Sequence, residues 1–212
     1  MSTAILYDKP ECPFCWRVRM ALHHLGLPVE LRAFDDPIHE RVWRELTPND
    51  TVPVLEIDTL AIFESGVILE YLHDRQGGLW PDTPALRVRA RSVVAYADNR
   101  IGAAVRDVIF ERRGRPSSLW NERRIAAGID AWCAALPYLS RLLGGGEYMA
   151  GRLSAADFTL AARFALAAAY GVPLPERHPN LASWFQRMTR LDAFVDTAPP
   201  VVLDWMDRAR VA

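Results

Sequence analysis

The feature that most constrains this chain is a change of hydrophobic period near residue 76. Before it, strand-length apolar runs alternate with helical stripes, and after it only helical stripes remain. The strand candidates are residues 3–8 (TAILYD), 29–35 (VELRAFD), 52–57 (VPVLEI) and 60–64 (LAIFE), each bounded by Pro, Asp, Gly or Ser. Between them, Val18, Ala21, Leu22 and Leu25 share one side of a helix from Pro13 to Leu25. A weaker helix fits 38–46, and Val67, Ile68, Tyr71 and Leu72 form a stripe after Ser65. The order β-α-β-α-β-β-α predicts a small mixed sheet covered by helices.

Residues 76–84 (QGGLWPDTP) hold two glycines and two prolines and carry no period. We therefore expect an N-terminal domain over 1–76, a linker over 77–84 and an all-helical domain over 85–212. In the last, Leu86, Ala90, Val93, Ala97, Ile101, Val105 and Val108 make one stripe, and Ile125, Ile129, Trp132, Leu136, Leu139 and Leu143 make another. Gly144, Gly145 and Gly146 end the second helix, where glycine adopts positive φ at little cost. Ser154 and Asp157 have the spacing of a capping box, flanked by Leu153 and Phe158 as a hydrophobic staple, and this explains both polar residues without chemistry.

Composition excludes several function classes. With 212 residues and a formal net charge of -1, the chain offers no overall electrostatic case for nucleic acid or an anionic membrane. No stretch approaches the roughly 20 apolar residues that span a bilayer. The opening MSTAILYDKP lacks a basic segment followed by an apolar run, and three cysteines make no disulfide framework, so a cytoplasmic location is expected.

The chemistry centres on Cys12-Pro13-Phe14-Cys15, a Cys-x-x-Cys pair after a strand and at the start of a helix. Free N–H groups and the helix dipole favour an anion at the first position, so Cys12 ionises more readily than a reference thiol of pKa ~8.5. Pro13 suits the first helical position because its missing N–H costs nothing there. Cys15, one turn on, either resolves a mixed disulfide formed at Cys12 or is a small buried hydrophobe. Zinc is disfavoured, since no second Cys/His pair has ligand spacing, and no metal is expected. Cys133, beside Trp132 on an apolar stripe, is assigned to the core.

Two further places carry chemical information. Val52-Pro53, at the mouth of a strand, is either a cis peptide that turns the Val52 backbone toward an extended ligand or an ordinary edge-strand proline. Ser65 follows a strand and opens a helix, so its hydroxyl and the free N–H groups of that turn suit a carboxylate, while Glu64 suits an ammonium. Alone, Ser65 reads as a cap and Glu64 as a solvated charge. Together they match the two ends of an α-amino acid.

The ordered set CPFCWRVR, TVPVLEID, FESGVILEYL, LWPDTPALRVRAR and LSAADFTLA resembles the glutathione transferase superfamily over essentially the whole chain. The resemblance implies a thioredoxin-like N-terminal domain, an all-helical C-terminal domain, and glutathione as co-substrate held by Val52, Pro53, Glu64, Ser65 and the helix start that bears Phe14. A cysteine at position 12 is similar to the omega, glutaredoxin-2-like and dehydroascorbate-reductase-like groups, and implies reduction of mixed disulfides or small oxidised substrates through a Cys12 thiolate. The lysine that omega members place near the glycine end has no clear match, and His39 falls roughly at its position. Tyr7, at the end of the first strand, is where tyrosine-type members activate glutathione, but with Cys12 beside the same ligand it reads first as a strand residue of strong β preference.

Two rival functions are compatible with the same resemblance. One is conjugation or dehalogenation of small electrophiles by glutathione itself, with a second-substrate pocket drawn from Tyr96, Asn99, Arg100 and Trp205. The other is a non-enzymatic regulator of the same fold. A homodimer is the family's common habit.

Overall fold

The computed structural model describes residues 4–211. Four strands, β1 (Ala4–Asp8), β2 (Val29–Ala33), β3 (Val54–Ile57) and β4 (Leu60–Phe63), form one sheet in the order β2-β1-β3-β4. β1 runs parallel to β2 and antiparallel to β3, and β3 is antiparallel to β4, so Leu6 lies between Leu31 and Leu55. Thr3, expected in the first strand, lies outside the described residues. Helices α1 (Pro13–His24), α2 (Pro37–Leu46) and α3 (Ser65–Gln76) complete this thioredoxin-like unit.

The period of two decides the layers. Leu6, Leu55 and Ile62 point to the face covered by Val18, Leu22, Ile68 and Leu72 of α1 and α3, whereas Tyr7 and Val54 point to the other face, against Trp43 of α2. The second helix begins one residue earlier than its periodicity suggests, because the Asp36 carboxylate accepts the N–H groups of Ile38 and His39 and Pro37 takes the first position.

Beyond residue 83 the chain is helical: α4 (Pro84–Tyr96), a π-helical turn (Ala97–Ile101), α5 (Gly102–Gly114), a 3-10 turn (Ser117–Leu119), α6 (Glu122–Leu143), α7 (Ala155–Ala169), α8 (Pro179–Met188), α9 (Asp192–Val195) and α10 (Pro200–Val211). The π turn answers an anomaly in the first stripe. Val93, Ala97, Ile101 and Val105 are spaced four apart, and over those twelve residues an α-helix overruns three turns by about 120°. One wide turn absorbs the surplus and keeps all four buried. At Gly128 a Cβ would sit 2.7 Å from the Ala104 carbonyl oxygen, so glycine sets the close approach of α6 to α5.

Residues 77–84 are not a free tether. Gly77 and Gly78 adopt positive φ and let the chain turn, and Leu79 and Trp80 then enter a continuous core that runs from Leu6 of the sheet to Phe194 of α9. The Leu79 carbonyl accepts the N–H of Ala155 at 2.8 Å, which ties this segment to the start of α7. Cys133 is exposed, contrary to expectation. It follows Trp132 by one residue, about 100° round the helix from the inward stripe.

The expected capping box is present at the start of α7, and Asp157 does more than cap. It is fully buried and accepts from the Met149 N–H at 2.9 Å, the Ser154 N–H at 3.1 Å, the Ser154 hydroxyl at 2.9 Å and the Trp184 indole at 3.0 Å. Replacing it strands several buried donors at once, each costing roughly 1–3 kcal/mol. Asp157→Ala is therefore expected to lose at least about 3 kcal/mol of stability in chemical denaturation, and a loss below about 1 kcal/mol would contradict this account.

Candidate functional site

The chain leaves β1 at Asp8, turns through Pro10, and enters α1 at Pro13. The Cys12 N–H donates to the Lys9 carbonyl at 3.0 Å, and the Cys12 carbonyl accepts the Trp16 N–H at 2.9 Å. Cys12 thus occupies the cap position with extended backbone (φ -84°, ψ 118°), partly accessible, while Cys15 is fully buried. The Cys15 thiol, donating toward Cys12, pulls the Cys12 pKa down to about 6; burial opposes this, and the backbone amides of Cys15 and Phe14 and the charge of Arg163 add to the lowering. Cys15 moves the other way. Burial and the neighbouring Cys12 sulfur push its pKa well up, so at neutral pH it is a donor and not a nucleophile.

Two clefts meet at Cys12, sharing Lys9, Cys12 and Phe14 in their walls. The first, about 550 Å³, runs between α2 and the start of α3 and is lined by Val52, Pro53, Glu64 and Ser65. The Val52-Pro53 peptide is cis. Glu64 carries φ +63°, a strained value for a residue with a side chain, and its carboxylate accepts from the Asn49 amide at 2.7 Å. Glu64 is the cap of α3, and Ser65 is its first helical residue.

Ser65 is polarised by a residue that its own neighbourhood in sequence does not contain. Arg17 of α1 donates to the Ser65 hydroxyl oxygen through Nε at 3.1 Å and through its terminal nitrogen at 2.6 Å. A hydroxyl has two acceptor lone pairs and one proton. With both lone pairs engaged by Arg17, the remaining role of Ser65 is to donate, as an anion requires.

The same Arg17 binds Asp98 at 2.8 Å, and Asp98 binds Arg163 of α7 at 3.0 Å. Two largely buried guanidinium groups share one carboxylate, which leaves the cluster with excess positive charge. Arg163 lies 4.4 Å and Arg17 5.1 Å from the centroid of the Phe14 ring, so the cations flank one of the two residues between the cysteines. The second cleft, about 490 Å³, opens on this cluster and is lined further by Asn99, Val105, Ile109 and Leu166.

Comparison with known proteins supplies the family. Residues 6–80 match the family model described as the glutathione S-transferase N-terminal domain. The chain is 31% identical to glutathione S-transferase 1 of Dianthus caryophyllus over 173 residues, 74% of this chain and 73% of that one. It is 27% identical to the maleylacetoacetate isomerase of Rattus norvegicus over 206 residues, 92% of each. A crystal structure of a glutathione S-transferase of Methylobacterium radiotolerans, in complex with glutathione sulfonate, superposes with a TM-score of 0.77 at 26% identity, covering 93% of this chain and 95% of that one. The chain belongs to the glutathione S-transferase family.

Within this glutathione S-transferase, the structure brings Cys12, Phe14, Val52, Pro53, Glu64, Ser65 and Asn99 to the clefts, and places other candidates elsewhere. The Tyr7 hydroxyl donates to Glu56 at 2.6 Å on the α2 face of the sheet, and burial with that carboxylate raises its pKa, so it is unsuited to holding a thiolate. Tyr96 faces α6, donating to the Ala135 carbonyl at 3.0 Å, and Arg100 is exposed outside the cleft walls. Trp205 stacks on Phe185 of α8. The His39 ring packs edge-on against Tyr7, while Lys9 takes the position between the clefts.

Lys9, Arg17, Asp98 and Arg163 escaped the sequence reading. The one local signal for Asp98 was the four-residue spacing of Val93, Ala97, Ile101 and Val105, which marks the wide turn that carries it. The donor role of Cys15 is testable by alkylation of Cys12 against pH, read on its own peptide so that Cys133 does not interfere. Wild type should show a midpoint near 6, Cys15→Ala should move it up toward an ordinary thiol, and Cys15→Ser, which keeps an O–H donor, should move it less. Coincident profiles for wild type and Cys15→Ala would remove that role.

Proposed function

We propose that this family member is a cysteine-type, glutathione-dependent thiol transferase in which Cys12 is the nucleophile. The observation that carries the reading is a partly accessible Cys12 at the start of α1 and at the junction of two clefts, with the Cys15 thiol and nearby amides favouring its thiolate and with Val52, Glu64 and Ser65 lining one of the clefts. The γ-glutamyl carboxylate is assigned to the Ser65 hydroxyl and the free amides at the start of α3, and the α-ammonium to Glu64. Val52 offers its backbone to the cysteinyl residue. The complex with glutathione sulfonate seen in a relative supports glutathione as the ligand.

In this mechanism a mixed disulfide of glutathione and a second thiol spans both clefts. The Cys12 thiolate attacks the glutathione sulfur, the disulfide bond breaks, and the second thiol leaves as a thiolate that takes a proton from water. Cys12 is then in disulfide linkage with glutathione. A second glutathione, as its thiolate, attacks the glutathione sulfur of that linkage, releases oxidised glutathione and restores the Cys12 thiolate. The net change is one mixed disulfide and one glutathione converted to one free thiol and one oxidised glutathione. Arg163 and the start of α1 stabilise the sulfur anion before attack and after release.

A second reading has glutathione itself as nucleophile, adding to an electrophile in the second cleft. Its support is the similarity to a maleylacetoacetate isomerase across nearly the full chain. The two diverge at Cys12. Cys12→Ser is expected to lower glutathione-dependent reduction of a mixed disulfide by at least about a thousandfold, as loss of a nucleophile does. Full activity in that variant, or unchanged conjugation of an aryl halide with no disulfide reduction in wild type, would favour the second reading.

A further inference from the structure

The charge balance of the second cleft points to the kind of thiol that occupies it, a question that rests on the thiol-transfer reading above. Four cations (Lys9, Arg106, Arg113, Arg163) and two carboxylates (Glu11, Asp98) line this cleft, together with the Cys12 thiolate, whose ionisation Arg163 favours. Both carboxylates are already engaged. Glu11 pairs with Arg113 at 3.3 Å and accepts the Tyr170 hydroxyl, and Asp98 holds Arg17 and Arg163. The cations left over are Lys9 and Arg106.

Among the described residues, Lys9 has no carboxylate within ion-pair distance, and its ammonium instead lies 4.6 Å from the Phe34 ring centroid. Arg106 has only Asp107, at 3.6 Å, and Asp107 is held more closely by Arg124 at 3.0 Å. Much of the remaining lining is apolar, with Phe14, Val105, Ile109 and Leu166 among it, and a cleft of about 490 Å³ suits a small organic molecule and not a protein surface. Apolar walls beneath uncompensated cations fit an apolar body bearing a negative charge.

We infer that the second cleft selects thiols that carry a carboxylate on an aromatic or branched aliphatic body, with Lys9 and Arg106 as the residues that recognise the carboxylate. In the exchange, such a thiol sits in the second cleft as the half of the mixed disulfide that leaves.

The test uses the mixed disulfides of glutathione with 4-mercaptobenzoic acid and with 4-mercaptobenzamide, which share shape and differ in charge. The kcat/KM for each is divided by its uncatalysed exchange rate with glutathione, which removes the difference in leaving-group acidity. Wild type is expected to prefer the acid by at least about tenfold, the worth of one charge-assisted hydrogen bond. That preference should fall close to unity in the double variant Lys9→Gln/Arg106→Gln and persist in Lys9→Arg/Arg106→Lys. Because the readout is a ratio within one protein, a loss of folded material changes both terms alike. Equal use of the two disulfides by wild type, or a preference unchanged in the glutamine variant, overturns the inference while leaving thiol transfer intact. Failure to exchange either disulfide above the uncatalysed rate removes the thiol-transfer reading, and this inference with it.

Discussion

Helix α1 is enclosed on almost every side, and the rest of the structure depends on that enclosure. Cys15, Trp16, Arg17, Val18, Arg19, Met20, Ala21 and Leu22 are consecutive buried residues, a run that a helix lying on a sheet alone would not bury. The sheet covers one side, α3 another, and α7 and α9 the remainder, with the Trp16 indole donating to Thr197 at 3.0 Å. A helix fixed this way cannot shift its first turn without disturbing a common core. Its N-terminus, and the sulfur of Cys12, are therefore pre-positioned at the seam between the sheet and the helical region, as a reactive group requires.

Burying α1 all round also forces an account of its two arginines. Arg19 is neutralised by Asp8, with contacts of 2.5 and 2.7 Å, and donates to the Pro10 carbonyl at 2.8 Å, which braces the loop leading to Cys12. Arg17 is tied to Ser65 and Asp98, so its charge bears on the first cleft through one partner and on the second through the other. Buried ion pairs are expensive to desolvate and seldom stabilise a fold over a well-packed apolar alternative. Their placement here makes functional sense instead. An excess of guanidinium around Phe14 favours anions on either side of it, a carboxylate near Ser65 and a thiolate at Cys12.

What could be read from the sequence was what local physics encodes. The mixed sheet with its covering helices and the helical region follow from a change in period, the start of α1 from Cys12-Pro13, the start of α7 from Ser154 and Asp157, and the end of α6 from Gly144. The residues that polarise the site were invisible because their partners are remote: Arg17 to Asp98 spans 81 positions and Asp98 to Arg163 spans 65. The misplaced residues failed for a related reason. Tyr96 and Trp205 lie on helices whose period shows that one face is buried but not against what, and Cys133 sits one residue from such a face. Leu79 and Trp80 lay hidden in a stretch whose glycines and prolines read as a linker, since turn chemistry says nothing about whether the next two side chains find a core.

The proposed thiol transfer turns on an ionised Cys12 beside a docked glutathione sulfur. The most direct measurement is intact mass after exposure to oxidised glutathione at neutral pH, followed by mapping of the modified peptide. A single glutathione adduct on Cys12, formed in wild type and in Cys15→Ser and missing in Cys12→Ser, is the predicted result. An adduct confined to the exposed Cys133, or none at all while Cys12 is intact, would contradict the account.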